Sequence, residues 1–261
     1  MMKTVYVCTD SVTGIFSAVY DAWKAHKEEE ECEIALQGFT EQQLFCDYVE
    51  VEETESKALA VEDMVRKHMG MLAYHDIYQA ALAADAMKGD AVLKTCLAAR
   101  KLKDSKKIME HLGHPKVRKV FELSRKVGNE SHFLVEFIRF RELESGVLYA
   151  PITPKSHVLT CIAPHFTDRF PLENWMIHDK THRAFAVHEA RKKWVLVEEA
   201  YDDTKKEEYD EYFQRFSEKE AEYEELFKSF CKTIAIKERE NPVCQRGHLP
   251  LWYRPNMVEF S

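Results

Sequence analysis

Apolar positions near the start of the chain change period twice. Thr4 to Cys8 is a short β-branched and aromatic run, and Ile15, Phe16, Val19, Tyr20 and Trp23 then recur at helical spacing behind a capping Asp10 or Ser11. The runs Ile34 to Leu36 and Tyr48 to Val51 read as further strands. From Ser56 to about Lys103 the pattern is helical and free of proline, through Leu59, Val61, Met64, Val65 and Met69, then Ile77, Leu82, Val92, Leu93 and Cys96. Pro115 suits the first turn of a helix that carries Val117, Val120, Phe121 and Val127 on one side.

Beyond that helix the period shortens. Phe133 to Phe140 and VLYAPI, separated by Glu-Ser-Gly, read as a hairpin, and His157 to Phe170 as a helix strained by Pro164. Trp175 to Ile177, Ala184 to Val187 and Trp194 to Val197 read as three more strands, and Tyr223 to Ile236 as a closing helix. Together these predict an α+β protein: a small N-terminal α/β piece, a helical middle, an antiparallel sheet of about five strands with a packed helix, then a C-terminal helix and an ordered tail.

Composition narrows the class. Seven scattered cysteines, none spaced C-x-x-C, suggest neither a disulfide framework nor a zinc site, and predict reduced thiols and a cytoplasmic location. No apolar run is long enough to span a bilayer. The net charge of -8 opposes phosphate binding, but its distribution is uneven. Arg100 to Lys126 holds ten basic residues against three acids, whereas Glu198 to Glu225 holds thirteen acids against four bases, and another acidic run spans Glu28 to Glu33. The basic run creates a local positive field in which Lys116, Arg118 and Lys119 occupy the opening turns of a helix, an arrangement suited to phosphate.

Two constellations carry candidate chemistry. HFTDRFPLENWMIHDKTHR crowds His165, Arg169, Trp175, His178, Asp179 and His182 around one helix-to-strand passage. His165 and Arg169 share a helix face and can hold a phosphate; Asp179 is the one candidate for catalysis, although a turn carboxylate usually bonds its own backbone. The second constellation is the tail, where Arg239, Asn241, Gln245 and Arg246 interleave with Trp252, Tyr253 and Arg254, the mixture that unpaired nucleic acid uses for stacking and phosphate contact. No G-x-S-x-G, H-E-x-x-H or radical-SAM cysteine triplet is present, and the pattern implies no cofactor and no metal.

ESHFLVEFIRFREL, LYAPITP, HFTDRFPLENWMIHD and LFKSFCKTIAIKERENPVCQRGHLP, in that order, resemble a bacterial family of DNA metabolism and DNA repair proteins. TVYVCTDSVTGIFSAVYDAW is similar to the family's opening. The resemblance implies a first region over residues 1–84 and a family domain of unknown function over 85–261, in the shorter form that lacks the uracil-DNA-glycosylase-like domain fused to some members. It implies DNA and a radical-SAM repair or modification protein as partners. Its motif positions fall on Glu130, Arg139 and Phe140; on His165, Arg169, Phe170, Trp175 and Asp179; and on Arg239, Asn241, Gln245 and Pro250. The expected function is a nucleic-acid-binding accessory to that radical-SAM enzyme, using Lys116, Arg118, Lys119, Arg139, His165, Arg169, Trp175, Arg239, Asn241, Gln245 and Arg246. Two alternatives stand beside it. One is an enzyme acting on a flipped base in a pocket of Trp175, Asp179 and Arg139; the other is an adaptor that docks through the acidic stretch Glu207 to Glu225.

Overall fold

The computed structural model describes residues 2–39, 44–198 and 211–260. The chain forms two compact units, Met1–Asn129 and Glu130–Ser261.

In the first unit β1 (Lys3–Cys8) lies between β2 (Cys32–Leu36) and β3 (Cys46–Glu50), and both pairings are parallel. Helix α1 (Val12–Lys24) makes the first crossover, capped by the Ser11 hydroxyl, which accepts from Gly14 N at 2.8 Å. It buries Ile15, Phe16 and Val19 of the stripe expected from the sequence and leaves Tyr20 and Trp23 half-buried. Helices α2 (Glu55–His68) and α3 (Gly70–Leu82) follow, turning at Gly70, whose φ of 87° lies in the left-handed region. Helix α4 (Lys88–Arg100) is buried along most of its length, and a Cβ on Gly89 would lie 2.6 Å from Ile34 Cγ2, so only glycine allows this approach to β2. Its buried charged side chains each meet a polar group: Lys88 is ion-paired with Asp10 and Asp90 with Lys116, while Lys94 Nζ donates to the Cys32 carbonyl at 2.7 Å.

Helix α5 (Pro115–Phe137) runs from the first unit into the second. The expected strand over Phe133 to Phe140 is therefore a correction. The helical ladder continues to Ile138 N, which donates to Leu134 O at 2.9 Å, and the Phe133 and Phe137 rings stack one turn apart at 6.0 Å. Aromatic side chains favoured a strand locally, but packing on one helix face prevailed.

The second unit is a five-stranded sheet in the order β4 (Arg141–Glu142), β5 (Leu148–Ile152), β6 (Trp175–Asp179), β7 (Ala184–His188), β8 (Val195–Glu198). It is mixed rather than wholly antiparallel. The β5–β6 pair is parallel because α6 (Leu159–Arg169) carries the chain back between them, the connection that a parallel pair requires. Pro164 lies inside α6 and removes one rung of its ladder without ending it. A helix spans Glu218–Ile234, and a short one, Pro242–His248, follows it.

Candidate functional site

Side chains alternate across a sheet, and this alternation separates the central constellation. Trp175, Ile177 and Asp179 share one face of β6; Met176 and His178 share the other. Trp175 is wholly buried against Phe140, Phe166 and the stacked ring of His188, at centroid distances of 6.3, 6.5 and 5.0 Å. His165 and Arg169 project from the exposed side of α6, while Ile162, Ala163 and Phe166 face inward. Arg139 is ion-paired to Glu259 at 2.7 Å. The structure thus does not bring Arg139, His165, Arg169, Trp175 and Asp179 into one cleft.

Asp179 is buried at the end of β6 and its carboxylate is fully used. Oδ1 accepts from the backbone N–H groups of Thr181 and His182, both at 3.0 Å, and Oδ2 accepts from His182 Nδ1 at 2.7 Å. This turn feeds β7 and holds Arg183 at φ 54°. An aspartate orienting an imidazole is also how a general base is held, but His182 does not line the unit's cavity. We expect Asp179→Ala to cost about 3 kcal/mol, since two backbone donors and a histidine lose their acceptor. Asp179→Asn keeps the oxygen that accepts from the backbone and should recover most of that loss in denaturant titration. Full stability of the alanine variant would refute the turn role.

The opposite face of the same sheet holds a cavity of about 260 Å³. Arg141 and Tyr149 face each other in the β4–β5 register, and Tyr149 and Pro151 fall on the His178 side. The cavity is lined by Arg139, Arg141, Lys180, Tyr149, Phe213 and Phe216, with the amides of Gln214 and Asn256. Phe213 stacks on Tyr149 at 4.6 Å with planes 10° apart, and the Tyr149 hydroxyl meets His178 Nδ1 at 2.9 Å. The Arg141 guanidinium lies 3.5 Å from the Phe216 centroid and binds Glu224 at 2.8 Å, and its Nε is buried without a hydrogen-bond partner among the described residues. The sequence pattern gave a signal for only part of this set: Arg141 and Tyr149 sit in two of the family-like stretches, whereas Phe213 and Phe216 lie in a run whose acidity masked its aromatics.

The basic run of the first unit is largely spent on the unit's own acids. Arg100 binds Glu28 at 2.7 Å, Lys101 approaches Glu28 and Glu29, and Lys116 and Lys119 bind Asp90 and Asp85, each at 2.6 Å. Burial would raise the Asp85 carboxyl, but the Lys119 ammonium and the Met87 N–H outweigh it and hold that carboxyl below its usual range. Lys103, Lys106, Lys107, Arg118 and Lys126 remain exposed. Charge that is segregated along the sequence is therefore partly cancelled in space.

In the tail, Arg239, Asn241, Gln245 and Arg246 are exposed and serve local structure where they bond: Asn241 caps the Pro242–His248 helix by accepting from Cys244 N at 3.0 Å, and Arg246 Nε donates to Pro242 O at 3.1 Å. None of these four lines the cavity. The residues after them are packed. Trp252 Nε1 donates to Thr153 O at 2.8 Å, Tyr253 lies 5.6 Å from Phe133, Met257 is buried, and Asn256 reaches the cavity. Glu130, one of the motif residues, accepts from the backbone of Lys155 and Ser156 at 2.6 and 3.1 Å and so anchors the segment after β5.

Among the described residues no group of three or more His, Cys, Asp or Glu side chains could hold a metal, and no helix is long and apolar enough to cross a membrane. Fold and site together define a two-unit α+β protein whose second unit backs its sheet with an aromatic, cation-lined cavity. The chain belongs to the DUF4130 family, a domain of unknown function, whose profile matches residues 87–259. That match begins at the head of α4, so the parallel sheet lies outside it, whereas the cavity lies inside it. No curated protein matches the chain in sequence.

Proposed function

We propose that the second unit binds unpaired nucleic acid, and that the chain serves as the nucleic-acid-binding accessory of a radical-SAM enzyme of DNA modification or repair. The cavity carries the first half of this reading: three aromatic rings, two amides and three cations around about 260 Å³ are the parts that hold an unstacked base beside its phosphate. The volume lies just below the roughly 300 to 1,000 Å³ of pockets for drug-sized ligands, which suits one base or nucleoside better than a dinucleotide cofactor. The partnership follows from the resemblance of the motif stretches set out above.

Electrostatics shape the reading. Glu259 and Glu224 neutralise Arg139 and Arg141, whereas Lys180 is exposed and in no ion pair among the described residues. Stacking and edge contacts, more than counterion release, then supply the affinity. Anisotropy titrations with short oligonucleotides should show single strands bound in preference to duplex, with a log K against log salt slope near −0.7, about one phosphate. Phe213→Ala should weaken binding by roughly 5- to 100-fold, the worth of one stacked base. Lys180→Ala should flatten the salt slope. Equal affinity of Phe213→Ala and the unaltered protein for every oligonucleotide would refute the site.

A further inference from the structure

The two edges of the second unit's sheet differ. β4 is two residues long and its outer side is taken: Ser217 N donates to Glu142 O at 2.9 Å, Glu144 N donates to Arg215 O at 3.1 Å, and Leu143 bridges to Phe216. β8 has β7 on one side and no strand on the other among the described residues. α6 packs on β6 and β7, and β8 lies beyond them. Its apolar residues are open on both faces: Val195, Leu196 and Val197 are 54, 49 and 45 % exposed. Natural sheet edges are blunted with a proline, a bulge, an inward charge or a covering segment. Val195 to Val197 shows none of these among the described residues.

An open edge is completed by an extended strand, which supplies backbone donors and acceptors at the spacing of the ladder. The charges at the two ends of the apolar run indicate which strand. Lys193 stands just before it and Glu198 closes it; both are exposed and in no ion pair among the described residues, whereas Lys192 is held in the preceding turn by Glu189 at 2.7 Å. A strand with a base ahead of its apolar core and an acid behind it complements itself when two copies run antiparallel. With a two-fold axis at Leu196, Val195 falls opposite Val197 of the second copy and Trp194 opposite its Glu198, so that Lys193 comes beside that carboxylate at each end of the ladder. We propose that β8 of a second copy of this chain pairs here, joining two five-stranded sheets into one about a two-fold axis. A parallel copy would instead set lysine beside lysine. A ladder over residues 194–198 is short, which puts the dimer in the weak class that buries less than roughly 1,200 Å².

Sedimentation equilibrium of the full chain, from micromolar to millimolar, should show a reversible dimer, and amide exchange at residues 195–198 should slow as the dimer fills. Leu196→Lys sets two ammonium groups face to face on the axis; it should abolish the dimer and leave the thermal midpoint of the monomer unchanged, because that side chain is half-exposed. The orientation has its own test. Lys193→Glu and Glu198→Lys should each raise the dissociation constant roughly 2- to 30-fold, since each dimer loses two surface ion pairs, and the two together should restore it, since acid again meets base. A monomer at every concentration overturns the proposal; if its residues 195–198 are already protected from exchange, the chain covers its own edge. A dimer indifferent to Leu196→Lys overturns it as well, as does a double variant no tighter than either single. Should Leu196→Lys lower the thermal midpoint, the charge exchange at the two exposed positions decides.

Discussion

Trp175→Ala is expected to destabilise the second unit by about 3–5 kcal/mol, the cost of emptying a fully packed aromatic site. The loss is large against the roughly 5–15 kcal/mol that holds a typical domain together. Phe140, Phe166 and His188 all rest on this indole, and His188 is itself fixed by an Nδ1–H donated to Glu173 O at 2.9 Å. Its removal leaves a void between α6 and the sheet that the stacked rings cannot fill. Trp175→Phe, which retains most of the apolar volume, should cost much less. Denaturant unfolding of the two variants provides the measurement. The rival role for this residue, a surface platform for a base, requires the opposite result: stability within about 0.5 kcal/mol of the unaltered protein and a selective loss of binding.

Removing the chain from residue 249 onward should cost on the order of 4 kcal/mol and abolish binding at the cavity in the same step. The deletion takes away Met257, the Trp252 bond to Thr153 and the Tyr253 ring packed over Phe133 and Phe137. It leaves Arg139 without Glu259, and it removes Asn256 from the cavity wall. A pH titration gives an independent reading of the same packing. Burial, with the Glu130 charge, pushes the Tyr253 phenol from 10.0 up to about 12. Its folded form therefore holds the proton more tightly than its unfolded form, so this contribution is complete below pH 10 and is lost as pH rises towards 12. Tyr253→Phe should flatten that alkaline loss. A truncated chain that melts cooperatively at the unaltered temperature would show that the tail is an appendage.

The sequence-based expectations failed in two informative places. Phe133 to Phe140 has the composition of a strand, yet its aromatic rings also recur at helical spacing, and only the partners Tyr253 and Leu134 decide between the two patterns. The sheet was expected to be antiparallel from the order of strands, helix and strands along the chain. The α6 crossover makes one pair parallel, because a helix between two strands returns the chain to its starting edge. At the site, Arg139 was expected from the family-like motif and does line the cavity, whereas Trp175 and Asp179, in the adjacent motif, belong to the other face of the sheet.

The amino-acid sequence by itself determined the local terms. The α1 stripe, a cap at Asp10 or Ser11, the class of the fold and the existence of the closing helix follow from periodicity and capping chemistry, which act over a few residues. Only the tertiary structure decided which charges are spent, which aromatic rings are buried and which face of the closing helix meets its own unit. These depend on residues far apart in sequence: Lys116 meets Asp90, Arg141 meets Glu224 and Arg139 meets Glu259. A count along the chain cannot see such pairings, because Coulomb attraction and burial depend on distance in space, and the fold sets that distance.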